Sequence, residues 1–319
     1  MDKNLVKDAR RGMNRMVLPA LVYLVLMNVV AVCVMIVEAI VYLTKLLISG
    51  QSLDLAAMME YTTQRIVESG WSYLVAIVLG TVIVTLWKGR GYWKTEVFER
   101  QNTMTAGTFI QLLCVFLSAQ FIFQIVVTLL EALLNLVGLT AFAAIEMAST
   151  TGTNFSMFLY ACILGPISEE LLFRGVVLRA ARPWGKQTAI LVSSVVFGLY
   201  HGNVAQIPFA FAVGMVLGYM TVEYSITWAI VLHIFNNMVF ADLIGRLPED
   251  ISLAVSGGLT VAATVAAVVL LIVKRRQVAE FFRENRCSAV ALRGFITSPL
   301  VIIFTVLMLA TCLLTIQPL

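Results

Sequence analysis

Charged residues are scarce in this 319-residue chain, where they make up only 13% of the sequence against 60% hydrophobic residues. Soluble domains carry about 25% charged residues, so the composition excludes an ordinary soluble fold. Several apolar runs also exceed the roughly 18 residues that mark a membrane-spanning helix. The sequence therefore predicts an all-α, polytopic transmembrane helical bundle, an integral membrane protein whose first partner is the lipid bilayer.

Cysteine and histidine are also rare, and their spacing excludes several kinds of site. The chain has five cysteines and two histidines. No CxxC or CxxH pair is present, which argues against disulfide frameworks and zinc fingers. The HExxH motif of zincins, the GxGD motif of aspartyl intramembrane proteases and the GxS context of rhomboid-type serine proteases are absent. Nothing in the composition indicates a nucleic-acid partner.

The apolar runs predict about eight or nine spans, and the basic residues predict their orientation. Most of the 22 Lys and Arg residues fall in four segments, at 1–15, 88–100, 179–186 and 274–293. Nine spans place these segments on one side of the membrane, which the positive-inside rule makes cytoplasmic, together with the N-terminus. The predicted spans lie at about 16–45, 71–87, 107–138, 155–180, 187–203, 205–222, 226–244, 252–273 and 297–316.

The stretch GPISEELLFRG, residues 165–175, places three ionisable groups inside one apolar run. An ionised carboxylate at mid-bilayer raises the free energy of membrane insertion by about 2.5–3.5 kcal/mol, and Glu169 and Glu170 both carry this cost. Glu170 and Arg174 are four residues apart and can pair on one helix face, which leaves Glu169 without a partner on its own helix. Pro166 removes a helix hydrogen bond and is expected to kink the helix beside the carboxylates.

Both histidines lie in apolar runs with polar or aromatic residues at helical spacing. Phe197 precedes His201 by one turn, and Asn237 follows His233 by one turn. A single polar residue in a membrane helix often only forms a hydrogen bond between two helices. Here two glutamates, an arginine, two histidines and an asparagine lie on three predicted helices, which favours a functional site. A carboxylate near histidines and an amide donor suits a general base that activates water, with an oxyanion site for an attacked peptide carbonyl.

These residues resemble the motifs of the CPBP family, the CAAX proteases and bacteriocin-processing enzymes also called Abi. The family patterns EExxxR, FxxxH and HxxxN occur in the family's order, as Glu169-Glu170-x-x-x-Arg174, Phe197-x-x-x-His201 and His233-x-x-x-Asn237. The resemblance covers about residues 155–244. It suggests three parts: N-terminal transmembrane helices (1–150), catalytic core helices (151–245), and C-terminal transmembrane helices with a basic cytoplasmic loop (246–319).

The resemblance implies an intramembrane endopeptidase that hydrolyses a peptide bond of a membrane-associated protein or peptide precursor. By this resemblance, Glu169 activates the water, and His201 orients that water or shares its proton. His233 and Asn237 then form the oxyanion hole. The short loops favour a bacterial cell membrane. A pheromone or bacteriocin precursor would suit a bacterium, whereas a prenylated CAAX protein would suit a eukaryotic host.

The resemblance also assigns supporting roles and raises the question of a metal. Glu170 and Arg174 would support the site, and Arg174 is also a candidate for holding a substrate carboxylate. We favour a metal-free glutamate peptidase without a cofactor. Zinc stays possible, with Glu169, His201 and His233 as its ligands.

A non-enzymatic membrane protein is the alternative function. The Glu and His cluster could serve an immunity protein that acts by binding, or a carrier that uses the cluster as a proton relay. Peptide cleavage by the purified protein separates these classes from a peptidase.

Overall fold

The chain folds almost entirely into helices in a computed structural model, which describes residues 3–149 and 154–319. This confirms the all-α class. The α-helices are α1 Lys3–Ser49, α2 Leu55–Ser69, α3 Trp71–Tyr92, α4 Ala106–Leu117, α5 Ala119–Asn135, α6 Phe142–Ser149, α7 Phe155–Phe158, α8 Gly165–Leu172, α9 Arg179–Ala181, α10 Lys186–Tyr200, α11 Gln206–Glu223, α12 Ile226–Asn236, α13 Glu249–Val273, α14 Arg275–Glu284, α15 Ala289–Ile296 and α16 Pro299–Leu313.

Several of these helices continue through wider or tighter turns. The π-helical segments are Trp93–Val97, Leu159–Leu164, Phe173–Leu178 and Asn237–Leu243, and Arg182–Trp184 is a 3₁₀ turn. Two short antiparallel strands, β1 Leu139–Thr140 and β2 Gln317–Pro318, join the loop after α5 to the C-terminal residues. π-helical turns are rare and occur often at functional sites, and three of the four lie on the segments that carry the predicted site.

Within the described residues, five helical stretches are long and apolar enough to span a membrane, or six if the bent pair α15 and α16 forms one span. These candidates do not confirm eight or nine spans, so that count stays a prediction. The difference comes from the site-bearing segments, whose helices are short or interrupted. The five stretches are Lys3–Ser49, Trp71–Val97, Ala106–Asn135, Gln206–Glu223 and Glu249–Val273.

Helix α1 shows how the outer helices cover the core. Its buried residues recur at helical spacing along one face, because only that face meets the bundle. The opposite face exposes large apolar side chains such as Val25, Val29, Val32 and Ile36, as expected for contact with lipid. Helix α1 packs against α3, α15 and α16 and also against the segment Phe173–Leu178. The buried residues of α1 are Ala9, Met13, Met16, Val17, Pro19, Ala20, Tyr23 and Val30.

The orientation of the bundle is testable through helix α14, which follows span α13 directly. Its exposed Arg275, Arg276 and Arg283 belong to the basic segment predicted to be cytoplasmic. We expect a Glu280→Cys variant to resist a membrane-impermeant maleimide in intact cells and to react after permeabilisation. An exposed position on the predicted outer side, Leu53→Cys, is the control and is expected to react in intact cells. Labelling of position 280 from outside would contradict the predicted orientation.

Candidate active site

The two adjacent carboxylates lie on α8, a short helix with a π-helical segment on each side. Leu159–Leu164 precedes it and Phe173–Leu178 follows it. Gly165 is required at the first junction, because a Cβ there would lie 2.6 Å from the carbonyl oxygen of Tyr160. Pro166 follows at the start of α8, where its missing N–H is tolerated. The π-helical segment ends at Leu164, directly before the Gly165–Pro166 pair, and the kink at Pro166 stays a prediction.

Glu170 forms the buried centre of the site. Its side chain is fully buried, and its Oε1 accepts hydrogen bonds from Arg174 Nη1 at 2.9 Å and from His233 Nδ1 at 2.9 Å. Because a carboxylate oxygen only accepts, the proton of His233 lies on Nδ1, and Nε2 of a neutral ring keeps its lone pair. The pair Glu170–Arg174, predicted from four-residue spacing, is present, and His233 joins it from α12.

Arg174 is sealed inside the bundle. It is 1% exposed, its Nη2 donates to the carbonyl of Gly214 at 3.4 Å, and its guanidinium lies 4.2 Å from the ring centre of Phe197. Gly214 leaves room for the Phe197 ring, since a Cβ there would lie 3.2 Å from it. A guanidinium enclosed in this way supports Glu170, and its burial argues against a role in holding a substrate carboxylate.

Glu169 has a different environment from its neighbour. Its side chain is 29% exposed and lines a small cavity of about 30 Å³. The Oε2 of Glu169 lies 3.8 Å from Nε2 of His233, the nitrogen that faces away from Glu170. The adjacent carboxylates are thus divided: Glu170 is buried and paired, whereas Glu169 is open to the cavity. The cavity is lined by Tyr23, Met27, Ile77, Tyr160, Gly165, Ser168, Glu169, Leu172, Phe173 and Tyr200.

His201 reaches the same region from the end of α10. Its Nδ1 lies 2.9 Å from the carbonyl oxygen of Phe197, so Nδ1 carries the proton and Nε2 of the neutral ring is the free nitrogen. The ring of Phe197 stands edge-on to both imidazoles, with centroids 4.9 Å from His201 and 6.1 Å from His233. With Arg174 over the same ring, Phe197 is the apolar centre that links the three predicted motifs.

Asn237 begins the π-helical segment that follows α12. Its Nδ2 donates to the carbonyl of Ala161 at 2.8 Å, and its Oδ1 accepts from Asn236 at 3.0 Å. These partners define the orientation of the amide, because a carbonyl only accepts. One of the two N–H groups on Nδ2 is used, which leaves the second for another acceptor.

Residues 151–239 match a family model described as "Type II CAAX prenyl endopeptidase Rce1-like". This segment is therefore similar to the CAAX prenyl endopeptidases. The match contains all six predicted site residues and confirms the resemblance given by their motifs. No curated protein and no solved structure matches the chain.

The resemblance leaves zinc as a possible cofactor of this segment. Within the described residues, no three His, Cys, Asp or Glu side chains lie together as a group that could hold a metal ion. The predicted ligands Glu169, His201 and His233 do not form such a group, and Nδ1 of His233 is bonded to Glu170.

The structure adds residues to the site that the motifs do not contain. Tyr23 and Ile77, from helices outside the Rce1-like segment, line the cavity beside Glu169. Ser168, within the GPISEE stretch, bonds to Tyr23 and to Thr81. The chain separation of Tyr23 and Ser168 leaves no local sequence signal for this contact, although the position of Ser168 beside Glu169 marks it as a candidate.

Proposed function

We propose that the protein is an intramembrane endopeptidase that hydrolyses a peptide bond of a membrane-associated protein or peptide precursor without a metal. The observation that carries the proposal is the unequal environment of the two carboxylates. Glu170 is buried and held by Arg174 and His233, whereas Glu169 faces a cavity with one oxygen near Nε2 of His233. A general base must reach a water molecule, and Glu169 can do so through the cavity. Glu170 beside it provides a fixed negative charge.

In the first step, Glu169 removes a proton from a water molecule while the water oxygen attacks the peptide carbonyl carbon. His201 accepts a hydrogen bond from that water through its free Nε2 and so orients it. Water and peptide carbonyl become a tetrahedral intermediate with one negative oxygen, and the proton stays on Glu169. A base of this kind contributes about 10²–10⁴-fold to the rate.

The negative oxygen of the tetrahedral intermediate is stabilised by hydrogen-bond donors. Asn237 supplies the N–H that Ala161 does not use. His233 takes part as an imidazolium whose second proton comes from solvent before the reaction. That proton stays on Nε2 and donates to the negative oxygen, while Nδ1 donates to Glu170. When the C–N bond breaks, the proton on Glu169 passes to the leaving amine, and the products are a carboxylic acid and an amine.

The substrate we propose is a peptide precursor held at a bacterial cell membrane, such as a pheromone or bacteriocin precursor. The family description names prenyl endopeptidases, so prenylated peptides are the substrates to compare. The test is cleavage of one lipid-anchored peptide, with and without a prenyl group, by the purified protein in lipid vesicles. Faster cleavage of the prenylated form would overturn the proposed substrate and leave the peptidase activity in place.

The same preparation separates the peptidase from its alternatives. A peptidase yields two fragments with a defined cut, and a folded Glu169→Ala variant yields none. An immunity protein binds the peptide intact, and a proton-coupled carrier moves protons across the vesicle membrane without cutting it. Tight binding or proton flux without cleavage would therefore reject the proposed function.

Loss of the amide at position 237 is expected to impair catalysis more than binding. Removal of one oxyanion donor lowers kcat by about 10²–10³-fold, so we expect this loss in Asn237→Ala with KM near the wild-type value. The matched control is Asn28→Ala on the exposed face of α1, where the side chain bonds only the preceding helical turn. Wild-type kcat in folded Asn237→Ala would remove Asn237 from the oxyanion site.

A further inference from the structure

Tyr23 of α1 reaches the candidate site from outside the Rce1-like segment. Its side chain is only 5% exposed. Its hydroxyl is hydrogen-bonded to Ser168 and lies 3.2 Å from the carbonyl oxygen of Ile77 on α3. Ser168 directly precedes Glu169, so this contact joins the backbone beside the proposed base to two outer helices.

The hydrogen bonds around Ser168 have one consistent direction. The Ile77 carbonyl can only accept, so Tyr23 donates to it, and Ser168 must then donate to Tyr23. The hydroxyl of Thr81 lies 3.1 Å from Ser168 and donates to it. Each of the three hydroxyl protons is used once. Ser168 therefore has one acceptor and one donor with defined positions, which restricts rotation of α8 at Glu169.

The ring of Tyr23 makes a second contact with the site. It stands edge-on to the ring of Tyr200 with centroids 6.4 Å apart, and Tyr200 directly precedes His201. Gly80 of α3 provides the space for the ring, because a Cβ there would lie 2.3 Å from a ring carbon of Tyr23. One side chain of α1 thus contacts the residue before Glu169 and the residue before His201.

We propose that Tyr23 is a positioning residue that sets the spacing between Glu169 and His201 around the attacking water. The inference rests on the proposed function for the roles of these two residues. Glu169 is on α8 and His201 follows α10, so their separation depends on how the two helices are held. Tyr23 contacts both helices and is itself supported by α3 through Ile77. The outer helix α1 is then part of the catalytic apparatus.

The kinetic test compares Tyr23→Phe, Ser168→Ala and the double variant in purified full-length protein. Misplacement of reacting groups by about 1 Å lowers rates by about 10²-fold, so we expect kcat to fall by about 10–100-fold with KM unchanged. Because both residues act through one hydrogen bond, the double variant is expected to lose no more than the stronger single variant. Tyr42→Phe is the control and is expected to keep the wild-type kcat, because Tyr42 lies on the same helix but its ring packs against Tyr61 of α2, with centroids 5.2 Å apart.

A merely structural role for Tyr23 would give a different pattern. Tyr23→Phe would then lower the melting temperature and the yield of folded protein, while kcat per folded molecule would equal that of the wild type. Additive losses in the double variant would also overturn the inference, since they would show that Tyr23 and Ser168 act separately.

A measurement without substrate keeps this inference separate from the proposed function. A hydrophobic carbodiimide modifies carboxyl groups, and mass spectrometry locates the adduct on Glu169 or on the buried Glu170. We expect the rate of labelling at Glu169 to differ between Tyr23→Phe and wild type, and to be unchanged in Tyr42→Phe. Equal cleavage by wild type and Glu169→Gln would reject the proposed function. The rate of carbodiimide labelling at Glu169 would still test whether Tyr23 positions that residue. An unchanged labelling rate would overturn the inference.

Discussion

We expect the Glu169→Gln variant to lose about 10²–10⁴-fold in kcat, the contribution of a general base, while it folds like the wild type. Glutamine has the same shape as glutamate and keeps one oxygen as an acceptor, but its amide cannot take a proton from water. The carboxylate it replaces is open to the cavity and is not the one that holds Arg174. Cleavage of a lipid-anchored peptide by purified protein, together with a melting temperature, measures both parts of the expectation.

The matched control for this variant is Glu38→Gln. Glu38 is a second glutamate in a predicted span, and its carboxylate lies 3.7 Å from Arg65 of α2, away from the cavity. We expect it to keep the wild-type kcat. If Glu169→Gln cleaved as fast as Glu38→Gln, the general base would have to be a group other than Glu169.

Replacement of Arg174 is expected to have the largest effect on folding. Removal of one partner of a buried ion pair costs about 3–5 kcal/mol, because the remaining charge stays buried without compensation. In Arg174→Ala that charge is Glu170, whose side chain is fully buried and retains only His233 as a partner to its Oε1. We expect little folded Arg174→Ala in the membrane, measured by size-exclusion chromatography after extraction in mild detergent.

Arg174→Lys distinguishes charge from geometry at the same position. Lysine keeps the positive charge, but it cannot pair with Glu170, reach the Gly214 carbonyl and stack over Phe197 through one planar group. We therefore expect folded protein with lowered activity. Arg246→Lys is the control, since Arg246 also pairs with a carboxylate four residues away, that of Asp242 at 2.7 Å, but its own side chain is 53% exposed, whereas that of Arg174 is 1% exposed. Full activity in Arg174→Lys would make Arg174 a simple countercharge.

Local spacing in the sequence was sufficient to predict part of the candidate site. Residues four apart on a helix share a face, and the Glu170–Arg174 pair and the Phe197–His201 contact both occur as this spacing requires. The family motifs identified the same segment that the Rce1-like match covers. The number of spans was not confirmed, because apolar runs mark buried helices of the bundle as well as helices in contact with lipid.

Contacts between distant helices could not be predicted in this way. His233 could have paired with either carboxylate, and only the packing of α12 against α8 brings its Nδ1 to Glu170 and turns its Nε2 toward Glu169. The π-helical turns around α8 were not predicted either. They depend on how the segment fits between its neighbours, and the only local sign of them is the Gly165–Pro166 pair.

The sequence by itself determined that this is an all-α membrane protein with a cluster of polar residues at helical spacing, because hydrophobicity and i, i+4 geometry are properties of short stretches. The tertiary structure alone decided which glutamate is buried and which is open to the cavity. It also brought Tyr23 to Ser168, across 145 residues of chain. The physical reason is that burial and hydrogen-bond partners in a helical bundle are set by the side chains of neighbouring helices, which lie far apart in the sequence.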